Sequence, residues 1–233
     1  MIGVVIPAHN EEQFIGLCIE SIRDAANCCR LQGEAVRIMV VCDNCSDATA
    51  VHALAAGAEV IHAGVRNVGS ARATGARKLV QAGARWLSFT DADTIVSPAW
   101  LSEQLALETD AVCGTIEVGD WAAYGQRMRA HFIATYTDRD GHRHIHGANL
   151  GVSTRAYLAA GGFQSLASSE GVALVNALIA SGATIAWSAA PRVVTSARSD
   201  FRAPGGFGAT LQHIEKNALW AGGNANDRAL ASA

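Results

Sequence analysis

Four short apolar runs, each closed by polar residues and followed by a helical pattern, fill the first hundred residues. Residues 2–6, Ile-Gly-Val-Val-Ile, form a β-branched stretch that stops at Pro7 and predicts a central, doubly covered strand. Asn10, with Gln13 at the capping-box position, predicts a helix start, and Phe14, Ile15, Leu17, Cys18 and Ile22 supply its apolar stripe. Residues 37–42 predict a second strand, with Asp47 capping a helix that runs through residue 56. A short strand over 58–61 precedes a helix over 70–82 that Gly83 ends. Trp86-Leu87-Ser88-Phe89 is the fourth run, and Ser97-Pro98 opens another helix. Strands alternating with helices imply an α/β fold: a Rossmann-like, three-layer α/β/α arrangement with a mostly parallel central sheet.

The second half is less regular. Strands are expected over 110–118, 146–153 and 184–187, and helices over 121–136, 154–160, 170–181 and 208–220. Residues 137–144, Thr-Asp-Arg-Asp-Gly-His-Arg-His, read as a mobile polar loop, and 195–207 as another loop. With 233 residues, 50% of them hydrophobic, the chain can build a substantial core. The expected organisation is one domain over 1–223, its halves meeting near residue 100, with 224–233 a flexible tail. A net charge of −3 excludes a global electrostatic footprint for nucleic acid. Cys42-x-x-Cys45 has no second pair at zinc-ribbon spacing, so the six cysteines are expected to be reduced thiols. Residues 171–190 carry no charge, but Asn176, Ser181, Gly182 and Ser188 make a helix–turn–strand the better reading than a membrane span. No basic leader precedes residues 2–6, and a cytoplasmic location follows as the expectation.

Polar clusters close the runs: Pro7-Ala8-His9-Asn10-Glu11, Asp43-Asn44, residues 67–72, and Asp91-Ala92-Asp93. The carboxyl ends of parallel strands share one edge, where ligands of open α/β sheets bind. Asp91 and Asp93 offer two hard oxygen donors there, a set suited to Mn²⁺ or Mg²⁺, which keeps room for substrate phosphates. Such a pair alone is more often a solvated turn. Its weight comes from the other three clusters.

The opening Val-Val-Ile-Pro-Ala-His-Asn-Glu-Glu, then Asp43-Asn44-Cys45-Ser46-Asp47-Ala48-Thr49, Asn67-Val68-Gly69-Ser70-Ala71-Arg72 and Asp91-Ala92-Asp93 together resemble glycosyltransferase family 2, nucleotide-sugar enzymes of the GT-A fold. The resemblance implies that Pro7, Ala8, His9, Asn10 and Glu11 line a nucleotide pocket and that Asp43 hydrogen-bonds the base. It implies that Asn67, Gly69 and Arg72 form the next wall, with Arg72 near the diphosphate or sugar. Asp91 and Ala92 would meet the nucleotide, and Asp91 and Asp93 the metal. The donor would be a UDP- or GDP-sugar.

In the second half, His146-Gly147-Ala148-Asn149 resembles a family segment on the donor-sugar and acceptor side, and Gly161-Gly162-Phe163 follows it. The family's general base lies in a Glu-Asp pair that opens a helix. Here that place reads Ser169-Glu170-Gly171, so Glu170 is the expected base, with Asp138 and Asp140 in reserve. Arg198, Arg202 and Gly205-Gly206 resemble a loop that folds over the diphosphate, and His213 is a further candidate metal ligand. The implied reaction is metal-dependent transfer, with inversion, to an acceptor hydroxyl on a saccharide or lipid-linked molecule. The protein would then be cytoplasmic, or peripheral to the inner face of a membrane, and a homodimer is one open form. Gly171 keeps a second reading, a non-catalytic nucleotide-sugar-binding protein. A sugar-phosphate nucleotidyltransferase fits less well, because no Gly-rich basic loop follows the first strand. The absence of G-x-G-x-x-G there disfavours a dinucleotide dehydrogenase.

Overall fold

The computed structural model describes residues 1–121 and 123–196. Strands β1 (Ile2–Ala8), β2 (Val36–Asp43), β3 (Glu59–Ala63) and β4 (Trp86–Phe89) alternate with helices α1 (Ile15–Ala26), α2 (Thr49–Ala55) and α3 (Val68–Gln81). Then come β5 (Ile95–Val96), α4 (Trp100–Ala106), β6 (Ala111–Gly114), β7 (Glu117–Val118) and α5 (Gly125–Thr135). The last described elements are β8 (Leu150–Ser153), α6 (Thr154–Ala159), α7 (Glu170–Ala180), β9 (Ile185–Ser188) and β10 (Val193–Thr195).

Seven strands form the main sheet in the order β3-β2-β1-β4-β8-β6-β9. β1 is parallel to β2 and β4, and β2 is parallel to β3. Only β8 runs against its neighbours β4 and β6. The expected mostly parallel α/β sheet is therefore the observed one. Alternate residues point to opposite faces. Val5, Val41, Leu87, Phe89 and Val152 meet Ala76 and Leu79 of α3, Tyr157 of α6, and Leu174 and Leu178 of α7. Ile2, Val4, Ile6 and Val40 alternate with that set and are fully buried, as are Ile15, Ile19 and Ile22 of α1 and Trp100 of α4.

The chain divides into two compact units. The first, Met1–Glu117 with Thr137–Ser196, holds most of the elements above and draws on both expected halves. In the second, Val118 packs with Trp121, Tyr124 and Phe132 of the α5 region, and Phe132 stacks on Tyr136 at 4.7 Å. Thr195, the expected start of a loop over 195–207, instead ends β10. The rest of that loop from 197 onward, the helix over 208–220, the tail, and with them Arg198, Arg202 and His213, lie outside the described residues.

Several local expectations change. Asn10 does not cap α1, which starts at Ile15; it adopts a left-handed φ of 55° and its side chain turns to Ser46 instead. The expected strand over 110–118 breaks after Gly114, where a Cβ would lie 2.1 Å from Asn149 Nδ2. The expected strand over 146–153 starts only at Leu150, because Asn149 N turns back to His146 O at 3.1 Å. The polar loop over 137–144 is pinned: Asp138 accepts from Thr115 Oγ1 at 2.8 Å, and Asp140 accepts from Ser188 Oγ and Ala189 N, each at 2.8 Å. β5 and β10, two and three residues long, pair antiparallel and were not anticipated; such short pairings lack a periodic signal.

Gly75 lets α3 sit close on the sheet, since a Cβ there would lie 2.6 Å from Val5 Cγ1 and 3.1 Å from Val41 Cγ2. Both neighbours are fully buried and have no room to withdraw. Gly75→Ala is expected to destabilise the fold by about 1–3 kcal/mol through overpacking. Urea unfolding checks this, and an unchanged midpoint would contradict it.

Candidate functional site

The parallel register sets the site. Ala8 pairs with Cys42 and Asp43 with Ala63, so the loops after β1, β2 and β3 leave one edge of the sheet. β4 runs parallel to β1 with Val5 beside Phe89, which brings Asp91-Ala92-Asp93 to the same edge. The first two loops grip each other. Glu12 N donates to Asp47 Oδ2 at 3.1 Å, and Ala48 N donates to Glu12 Oε2 at 2.9 Å. Glu11 N donates to Thr49 Oγ1, and Ser46 N to Asn10 Oδ1, each at 2.7 Å. Cys45 donates its thiol hydrogen to Ala8 O and accepts from Asn10 N, both at 3.4 Å. Glu12, Cys45 and Asp47 thus organise these loops, although they were not among the expected site residues. All six cysteines are free thiols.

Asp43 is buried at the junction. Its Oδ1 accepts from Val65 N, Arg66 N and Asn44 Nδ2, and its Oδ2 from Asn67 N, at 2.8–3.0 Å. A carboxylate offers about four acceptor sites. Most of its capacity therefore holds the 65–67 turn, with Oδ2 keeping room for one more donor. His9 Nδ1 donates to the Asp43 carbonyl at 2.6 Å. Asn67 caps α3 by accepting from Ser70 N, and its Nδ2 donates to Leu166 O at 2.6 Å. Gly69 is closely approached by protein: a Cβ there would lie 2.3 Å from Gln164 O.

Arg72, expected beside the diphosphate, is buried inside the unit. Its Nη1 donates to Glu170 Oε1 and its Nη2 to Asp91 Oδ1. Its guanidinium carbon lies 5.7 Å from the centre of the Phe163 ring, within cation–π range. Glu170, the expected base, is buried at the first turn of α7. Asp91 and Asp93 are half-exposed, while Ala92 is buried. Cys18 lies beneath them, its thiol donating to Asp91 O at 3.3 Å; burial and the two nearby carboxylates push its pKa up.

Asn149 is fully buried and fully used. Its Nδ2 donates to Thr115 O at 2.7 Å and Pro191 O at 2.8 Å, and its Oδ1 accepts from Trp100 Nε1 at 2.9 Å. These bonds tie β6, α4 and the 191 turn together. The reserve carboxylates are also engaged: hydrogen bonds from Ala189 N and Ser188 Oγ hold Asp140 below the usual carboxylate range.

His142, His144 and His146 form a column of imidazoles with ring centres 5.4 and 5.8 Å apart. The His146 ring is partly buried, and that burial, with repulsion from His144 and His142, pushes its pKa down to about 3. In the unfolded chain it would titrate near 6.5. Between those values the unfolded state binds the extra proton, so this residue's linkage removes stability as pH falls from about 6.5 toward about 3. A titration by NMR is expected to find the His146 Cε1 proton shift flat between pH 5 and 8; a midpoint inside that window would contradict the assignment.

Among the described residues, no group of three His, Cys, Asp or Glu side chains is arranged to hold a metal. The residues at the mouth still fit a hard divalent cation, which binds through one or two carboxylates and keeps waters or phosphates. Asp91 and Asp93 are two such oxygen donors, both half-exposed. No described helix is long and apolar enough to cross a membrane.

No functionally curated protein matches the sequence. The fold is shared with solved structures of low identity. TarS 1-349 of S. aureus in complex with UDP superposes with a TM-score of 0.64 at 14% identity, covering 84% of this chain and 60% of that one. The mannosyltransferase PcManGT from Pyrobaculum calidifontis, in complex with GDP-Man and Mn²⁺, gives 0.65 at 15% identity, covering 85% of this chain and 57% of that one. A mycobacterial protein gives 0.59 at 19% identity, with coverages of 85% and 68%. This chain thus spans about three fifths of the length of TarS 1-349. The family model for glycosyl transferase family 2 matches residues 3–167, through all four strand-end loops and into the segment before α7, and the chain belongs to that family.

Proposed function

We propose that the chain moves a sugar from a nucleoside-diphosphate sugar to an acceptor hydroxyl, with inversion, using Mn²⁺ or Mg²⁺ held by Asp91 and Asp93. One observation carries this reading: four loops, each following a parallel strand, meet at one sheet edge, where Asp91 and Asp93 stand half-exposed. The bound ligands of two structural neighbours, UDP in TarS and GDP-Man with Mn²⁺ in PcManGT, support a nucleotide-sugar donor and a divalent cation.

In this reading the nucleotide lies against Pro7, Ala8, His9, Asn10 and Glu11, with the remaining acceptor site of Asp43 Oδ2 facing a base N–H. Asn67 and Gly69 shape the turn beside it. When bound, the cation offsets the charge of the departing diphosphate. His146 and Gly147 flank the donor sugar and acceptor, and Arg198 and Arg202 would reach the diphosphate from beyond the described residues. The acceptor is a saccharide or lipid-linked hydroxyl, met in the cytoplasm or at the inner face of a membrane. A second reading, nucleotide-sugar binding without transfer, is favoured by one observation: Gly171 stands where the family carries an acid, beside a Glu170 already bonded to Arg72.

Calorimetry with UDP and GDP tests donor and metal together. Both are expected to bind more tightly with Mn²⁺ than without it, and Asp93→Ala to abolish that gain while the far-UV circular dichroism is unchanged. An Mn²⁺-dependent affinity that survives Asp93→Ala would refute the metal assignment. Nucleotide release from a panel of UDP- and GDP-sugars separates the two readings, since a binding module releases none.

A further inference from the structure

Arg72 is a cation with almost no access to solvent: its side chain is 3% exposed. Burying a guanidinium costs several kcal/mol unless anions and hydrogen bonds replace its water. Two carboxylates do so here, Glu170 on Nη1 and Asp91 on Nη2. They come from α7 and from the loop after β4, so the guanidinium fastens two distant segments to α3.

The surroundings are shaped for this pairing. A Cβ on Gly147 would lie 2.4 Å from Arg72 Nη2, so only glycine lets that backbone close over the guanidinium. A Cβ on Gly69 would lie 3.1 Å from Glu170 Cβ. Ser169 holds a left-handed φ of 61° immediately before Glu170, a conformation unfavourable for a non-glycine residue. Asp91 differs from its partners: its side chain is 38% exposed, and Arg72 binds only its Oδ1.

We infer that Arg72 is a positioning residue that orients the Asp91 carboxylate, and that Glu170 acts through Arg72 as its buried counter-ion, not as the acceptor of the substrate proton. Arg72 holds Oδ1 of Asp91 and leaves Oδ2 for the cation or a ribose hydroxyl. Gly147 belongs to the same device, because it admits the guanidinium. The role of Asp91 at the metal end rests on the proposed glycosyl-transfer reading.

The test titrates the full chain with UDP and GDP in Mn²⁺. Glu170→Ala and Gly147→Ala are each expected to weaken nucleotide binding by about ten-fold or more, as loss of a supporting contact does at metal sites. Glu170→Gln, which keeps an oxygen for Arg72 Nη1, should recover most of the affinity lost in Glu170→Ala. Wild-type affinity in Glu170→Ala, with turnover lost equally in the Ala and Gln variants, would make Glu170 the base and overturn the inference. Wild-type affinity in Gly147→Ala overturns it as well, and decides the matter if Glu170→Ala fails to fold. If the unaltered chain binds neither nucleotide, the glycosyl-transfer reading fails, and the role of Arg72 is judged without ligand. Neutralising both anions with Glu170→Gln and Asp91→Asn should then lower Tm beyond the sum of the single losses by about 2 °C or more, because a buried cation is left bare. Additive losses would overturn it.

Discussion

A buried positive charge sets the terms for the edge of the sheet where the strand-end loops meet. Arg72 sits in the second turn of α3, and its guanidinium is reached by Asp91 from one side and Glu170 from the other. Removing Glu170, the buried partner, costs about 3–5 kcal/mol, more than a typical surface pair contributes. The exposed pairs of the same chain, Arg37 with Glu59 and Arg155 with Asp110, have no comparable hold on the site. The residues around Arg72 are therefore constrained by the charge as well as by packing, which is why glycine stands at 147.

The parallel sheet does the rest of the positioning. Because β1, β2, β3 and β4 share a direction, their C-terminal loops emerge together. Backbone-to-side-chain bonds then lock the loops. Asp43 spends most of its acceptors on the amides of residues 65–67, and Glu12 and Asp47 cap each other's segments. A ligand entering such an edge would meet groups that are already ordered, so little conformational entropy would remain to be lost on binding.

Much of this was legible in the chain. β-branched runs and helical stripes gave the order of the first seven elements, and Gly83 marked the end of α3 closely, whereas its start at Val68, capped by Asn67, lies two residues ahead of the expected one. The elements missed were short or bent by a single long-range contact. Asn149 ends β6 from thirty-five residues away, and Ser46 diverts the side chain of Asn10 from a capping role. A local pattern carries no trace of such partners. The polar composition of 137–144 read as a loop, correctly, but could not show that Thr115, Ser188 and Arg192 tie it down.

The linear order of residues determined the α/β alternation, the placing of polar clusters at strand ends, and membership of glycosyl transferase family 2, because periodicity and motif spacing are local properties. Which polar groups remain open to a ligand was decided only by the tertiary structure. Arg72, Glu170 and Asn149 read in the chain as substrate contacts, and the fold turns them inward onto protein partners. Burial and hydrogen-bond satisfaction depend on what lies across space, and neither is written in the neighbours along the chain.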